Sequence, residues 1–182
     1  MTWKLELTRI RQDRRDFSRG FLWWRTTTSY FRTVSTYRVW HDDKYSALWG
    51  CCVEPGGPGD NSRAGNDKCI EAGVYPLKTH DGERYLTIGY ADGLNHPRPA
   101  IELMATGHRG SILFHPGQGF LSSIGCINPS SPLVMDTTDI DYADSRARVL
   151  AVIEDLRAFL GKDFPDHNGI PIPGAYLHII DR

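Results

Sequence analysis

Two residue types that together perform covalent chemistry lie eleven positions apart in this chain. They are His115 and Cys126, in the stretch His115-Pro116-Gly117-Gln118-Gly119-Phe120-Leu121-Ser122-Ser123-Ile124-Gly125-Cys126-Ile127-Asn128. A thiol becomes an effective nucleophile when a neighbouring imidazole takes its proton. Gly125, directly before the thiol, lets a substrate carbonyl come close to the backbone. The N–H groups of Gly125 and Cys126 would then hold the oxyanion of an acyl-transfer intermediate. Ser123 places a hydroxyl three residues before the thiol. Asn128, two residues after the thiol, together with Arg98, Arg109 and His108, completes a set of polar groups for binding a substrate, the arginines being suited to a carboxylate.

Such a pair works only if the chain positions it. Ile112-Leu113-Phe114 reads as an apolar strand that ends at His115, and the glycine-rich loop after it returns to Cys126. Upstream, Trp3, Leu5 and Leu7 alternate with Lys4, Glu6 and Thr8, the period of a strand with one buried face. Residues 31–53 read as a hairpin about the polar turn His41-Asp42-Asp43-Lys44. Glu54 to Ser62 is rich in breakers and reads as a loop. Further strands are expected at 69–77, 85–90, 100–104 and 175–180. One helix is expected where Val149, Val152, Ile153, Leu156, Phe159 and Leu160 repeat at helical spacing, capped by Asp141 or Asp144 and ended by Gly161. The expectation is a mostly β single domain over 1–182, with an N-terminal extension and first strand (1–30), a catalytic β core (31–133), and a C-terminal helix and strand (134–182).

Composition sets outer limits. Of 182 residues, 40% are hydrophobic and 24% charged, with a net charge of −1. This is globular composition, and not that of a nucleic-acid-binding polyelectrolyte. The charge is uneven: residues 1–40 hold nine Lys or Arg against three Asp or Glu, and four of the five tryptophans. Residues 13–30 read as an irregular basic and aromatic excursion whose tryptophans pack back on the domain. No apolar run reaches the roughly 20 residues of a membrane helix. Charges at Lys4, Glu6, Arg9 and Arg11 interrupt any signal-peptide core, so synthesis in the cytoplasm is expected. Cys51, Cys52 and Cys69 form no CxxC pair and read as small buried residues, with a Cys69 disulfide to Cys51 or Cys52 as the alternative. A metal site on His108, His115 and Cys126 finds no support in HExxH or HxH spacing, and the chemistry requires no cofactor.

The stretch 115–128 resembles the catalytic signature of L,D-transpeptidases, cysteine enzymes that cross-link peptidoglycan. That family places a histidine after an apolar strand, then Ser/Thr-His-Gly-Cys-apolar-Asn/Arg. His115, Ser123, Gly125, Cys126, Ile127 and Asn128 occupy those places, and Ile124 stands where the family usually has histidine. Ala72-Gly73-Val74-Tyr75-Pro76-Leu77 is similar to a second family segment. Closer likeness is to small bacterial and phage relatives with His-Pro-Gly…Ser-x-Gly-Cys-Ile and an upstream strand ending as Val53-Glu54-Pro55 does. The likeness covers roughly residues 33–133. It implies an L,D-transpeptidase-like β-sandwich with an added helix, and a Cys126 nucleophile with His115 as base, the imidazole oriented by Ser123 or a nearby backbone carbonyl. It also implies transpeptidation, carboxypeptidation or D-amino-acid exchange on peptidoglycan tetrapeptide stems. Action in the periplasm or cell wall would then follow delivery by phage or as a secreted toxin effector, with an immunity or secretion-apparatus protein as partner. The alternative is an inactive cell-wall or protein binding module on the same scaffold.

Overall fold

The structure, a computed structural model, describes residues 1–20 and 23–182. Among the described residues, ten strands and one α-helix follow one another in the order β1 (Trp3–Arg19), β2 (Thr26–His41), β3 (Lys44–Pro55), β4 (Gly73–Thr79), β5 (Tyr85–Leu86), β6 (Arg98–Pro99), β7 (Ile101–Leu103), β8 (Leu113–Phe114), β9 (Asn128–Ser130), α1 (Tyr142–Leu160) and β10 (Pro171–Ile180). The mostly β composition with one helix near the C-terminus is the expected one.

Eight strands form one sheet in the order β8-β7-β4-β10-β1-β2-β3-β9. Its two outermost strands approach each other. A parallel bridge joins Phe114 of β8 to Ile127, which leads into β9. Ile127 N–H donates to the Leu113 carbonyl at 2.8 Å, and His115 N–H donates to the Ile127 carbonyl at 3.0 Å. The sheet is thereby closed on itself, and the closure removes edges that would otherwise expose unpaired backbone groups. The seam of that closure is the His115–Cys126 stretch.

Both central strands come from outside residues 31–133. β1 pairs with β2 on one side and lies parallel to β10 on the other, from Trp3↔Ala175 to Thr8↔Ile180. The two ends of the chain therefore meet in the middle of the sheet. Trp3, Leu5 and Leu7 are buried as their alternation requires, and join Tyr37, Val39, Leu77, Phe114, Ile127 and Leu177 in one core. The apolar stripe of α1 enters the same core through Val149, Val152, Ile153, Leu156 and Leu160. Asp141 caps the helix by accepting from Asp144 N–H, and Gly161 ends it at a positive φ of 56°. The strand expected over 85–90 contracts to Tyr85–Leu86, which pairs in parallel with β6 as a separate two-stranded ribbon.

Residues 13–30 differ from the irregular excursion expected of them. β1 and β2 continue past the sheet as an antiparallel arm paired as far as Arg19↔Thr26. Cross-strand side chains support it: Arg14 donates to Ser29, Ser29 donates to Asp16, and Phe17 meets Tyr30 edge-on at 5.4 Å. Trp23 and Trp24 do not pack back, being 88% and 85% exposed. Phe21 and Leu22, within that excursion, lie outside the described residues.

Buried ion pairs brace the sheet and the root of the arm. Arg9 forms a two-pronged pair with Glu54 of β3. Arg32, fully buried, donates twice to Asp13 Oδ2 and also to the carbonyls of Phe120, Asp136 and Thr138. All four cysteines are free, with Cys51, Cys52 and Cys69 buried. No helix among the described residues is long and apolar enough to cross a membrane.

Candidate active site

Strand alternation decides which way the seam residues point. Phe114 and Ile127 enter the core. Leu113 and His115 therefore face the other side of β8, and Cys126 and Asn128 face that same side from the adjoining segment. The contacts agree: Cys126 Sγ lies 3.4 Å from Leu113 N–H, and Asn128 lies against His115. The nucleophile and base expected from sequence thus share one face of the closure, on adjacent segments. No hydrogen bond joins them in this state.

The imidazole is fixed by the backbone. His115 Nδ1 is 2.8 Å from the Pro116 carbonyl and so must carry the proton, which leaves Nε2 as the basic nitrogen. A nearby carbonyl, and not Ser123, does the orienting. Ser123 Oγ donates instead to the Cys126 carbonyl at 2.8 Å and holds the turn that precedes the thiol. Asn128 is fully buried, so the substrate contact expected of it is not available. Its amide donates to the His115 carbonyl at 3.0 Å and lies 3.4 Å from both ring nitrogens, a position over the ring and not along a lone pair. The Tyr85 ring meets the imidazole at 4.5 Å between centroids. Burial pushes the His115 pKa down to about 4; the Pro116 bond opposes this, while the charges of Arg98 and His80 add to it. Above that pH the imidazole is neutral and able to accept a proton.

The thiol is also neutral at rest. Burial raises the Cys126 pKa above its ordinary value, against the Leu113 N–H and the Arg109 guanidinium, which favour the thiolate. Sγ is 3.6 Å from the Ser111 carbonyl, and Ser111 itself has a positive φ of 54°. Backbone strain of this kind, in a residue other than glycine, collects at functional sites.

Arg109 is buried and anchored, since its Nη1 donates to the carbonyls of Asp60 and Cys69. Its Nη2 occupies the space a Cβ at position 125 would fill. Gly125 is thus required so that a guanidinium can lie under the thiol loop, and Arg109 serves the thiol electrostatically in place of the substrate contact expected of it. The N–H groups of Gly125 and Cys126 have no internal acceptor among the described residues, as an oxyanion site demands. His108 is exposed on a turn and bonds only through its backbone, to Asn61, so the structure does not bring it to the pair. Arg98 does come to the site, through Tyr85. Ile124 is 66% exposed and lines a groove of roughly 700 Å³ with Leu121, Ser122, Tyr30 and Phe31.

Sequence reasoning missed Tyr85, Tyr142 and the buried pair His80–Glu102, whose Nδ1 and Oε2 are 2.7 Å apart with Lys78 3.2 Å from the same oxygen. No spacing marks these residues, because they reach the site from the segment just after β4, from β5, β7 and α1. Among the described residues, no three of His, Cys, Asp and Glu are grouped to hold a metal ion. A scan against protein-family models, a search of curated proteins and a search of solved structures each returned no match.

Proposed function

We propose that this chain is a cysteine acyl-transfer enzyme acting on peptidoglycan stem peptides, on an L,D-transpeptidase-like β scaffold. The observation that carries the reading is the common face of Cys126 and His115 at the sheet closure, with His115 Nδ1 committed to the Pro116 carbonyl. Cys126 Sγ attacks the carbonyl that precedes the terminal D-alanine of a tetrapeptide stem as its proton passes to His115 Nε2. The resulting oxyanion takes hydrogen bonds from the free N–H groups of Gly125 and Cys126. When the carbon–nitrogen bond breaks, Nε2 returns the proton to the leaving amine and a thioester remains on Cys126. Water then gives carboxypeptidation, a stem amine gives a cross-link, and a free D-amino acid gives exchange. With thiol and imidazole both neutral at rest, proton transfer accompanies attack and does not precede it. The test is periplasmic expression followed by muropeptide analysis. Tetrapeptide stems should be converted by the wild type and spared by Cys126→Ala, and identical profiles overturn the reading.

The second reading is a binding module with a silent site, motivated by the raised Cys126 pKa and the missing Cys126–His115 hydrogen bond. Alkylation separates the two. If the imidazole serves the thiol, His115→Gln slows iodoacetamide labelling of Cys126 at neutral pH by roughly tenfold or more. Equal rates favour the binding module.

A further inference from the structure

Beside His115 the structure gathers cationic and phenolic groups that no protein carboxylate neutralises. The ribbon of β5 and β6 sets Tyr85 and Arg98 directly opposite each other in register. Across from them, the first turns of α1 present Tyr142 and, one turn further on, Arg146. The Arg98 guanidinium lies over the Tyr142 ring at 5.1 Å. Arg146 Nη2 donates to the carbonyl of Ala91, whose N–H donates to Pro97 next to Arg98. Tyr85 in turn lies against the imidazole of His115.

Three polar atoms of this cluster are buried without a partner: Arg98 Nε, Arg146 Nε and the Tyr142 hydroxyl. A buried unpaired donor costs on the order of 1–3 kcal/mol, and more when charged, so three on neighbouring residues call for a partner. Each is a donor, and two belong to guanidinium groups. Neither arginine forms an ion pair among the described residues, whereas Arg9, Arg32 and Arg148 each hold a carboxylate. An anion with several acceptor oxygens is the partner these donors fit, and the contact of Tyr85 with the imidazole puts them beside His115.

We propose that Arg98, Arg146 and Tyr142 bind the free carboxylate of the D-amino acid that leaves when the thioester forms. This rests on the acyl-transfer reading above and adds to it a specificity for stems that end in a free acid. Position and chemistry agree: His115 must deliver a proton to the leaving amine, and an amino acid carries its carboxylate one carbon from that amine. A group that binds the carboxylate beside His115 sets the amine before Nε2. The same site would admit an incoming free D-amino acid in the exchange reaction.

Two measurements test this. In the first, wild-type protein is titrated with N-acetyl-D-alanine and, separately, with its carboxamide, while the ring signals of His115 and Tyr85 are followed by NMR. The acid should shift both saturably and the carboxamide should not. Arg98→Gln and Arg146→Gln, each checked for an unchanged fold by circular dichroism, should weaken binding of the acid by about tenfold or more. Equal shifts from acid and carboxamide, or undiminished binding in both variants, overturn the proposal and leave water as the occupant. In the second, tetrapeptide and tetrapeptide C-terminal amide are compared as substrates. The wild type should favour the acid by about tenfold or more in kcat/KM, and Arg98→Gln should reduce that preference to within about threefold. Turnover without preference for the acid defeats the carboxylate site while leaving the enzyme reading intact. Specific binding of the acid without any turnover defeats the enzyme reading while leaving the site.

Discussion

At Cys126 and His115 the governing fact is burial, which keeps both groups uncharged. For His115 the consequence extends to stability. Its folded-state pKa is about 4, below the ordinary value of 6.5. Between those values the unfolded chain binds the proton and the folded chain does not. Stability therefore rises with pH across the window, is fully present above about 6.5, and is lost as pH falls towards 4. The loss amounts to about 3 kcal/mol. Urea unfolding at steps from pH 4 to 7 should show this slope, and His115→Gln should flatten it. Asn128 shows how residue type alone misleads. An asparagine two residues after a candidate nucleophile reads as a substrate contact, and only its direction, set by the pleat, places it under the histidine.

Among the elements, the arm and the helix matter most to the site, because both grip the loop between His115 and Cys126. Arg32 of β2 holds the Phe120 carbonyl, and its guanidinium lies over the Phe120 ring at 4.3 Å, with that of Arg15 at 4.5 Å. Arg32→Met would leave Asp13 paired with Arg11 alone and release the loop. A loss of about 1–3 kcal/mol in chemical denaturation is expected, from the loop carbonyls left without their donor while Arg11 still pairs Asp13. Substitution of the exposed Trp23 by Ser, by contrast, should leave stability within about 0.5 kcal/mol. From the other side, Ser145 of α1 accepts the Gly117 N–H at 2.9 Å. Ser145→Ala would leave that buried N–H unpaired at a cost of about 1–3 kcal/mol, readable in the same denaturation experiment. These two grips explain why a loop with three glycines and a proline holds a defined path. None of them is visible as a pattern in the loop's own sequence.

Over the whole molecule, closure joins distant parts of the chain. β10 stands between β4 and β1 in the sheet, so the last strand completes the frame that the first strand begins. Removal of residues 171–182 would open the sheet at its centre and expose Leu5, Leu7 and Leu77. A truncated chain should lose its cooperative thermal transition, as followed by circular dichroism, where a frayed terminus would only lower it. The same closure brings β8 to the segment before β9, and with it the imidazole to the face of the thiol. The neighbourhood is completed by Tyr85, Arg98 and Tyr142, from a separate ribbon and from the helix.

Much was legible in sequence because it is local. Period-two alternation at Trp3, Leu5 and Leu7 gave the first strand its buried face, helical spacing with Asp141 and Gly161 bounded the helix, and the polar turn at 41–44 located a hairpin. The placement of a histidine at a strand end and a thiol after a glycine-rich loop was also local; the acyl-transfer chemistry read from them is the proposal made above. What only the tertiary structure decided is non-local. That residues 13–19 and 26–30 pair as an arm depends on cross-strand contacts that no single strand shows. That Arg109 lies beneath Gly125, Asn128 beneath His115, and Arg98 beside Tyr142 depends on the closure of the sheet. Sequence specifies which groups a chain carries and which way each alternates along its own strand. The distances between strands far apart in sequence are set by packing, and it is those distances that determine which groups meet.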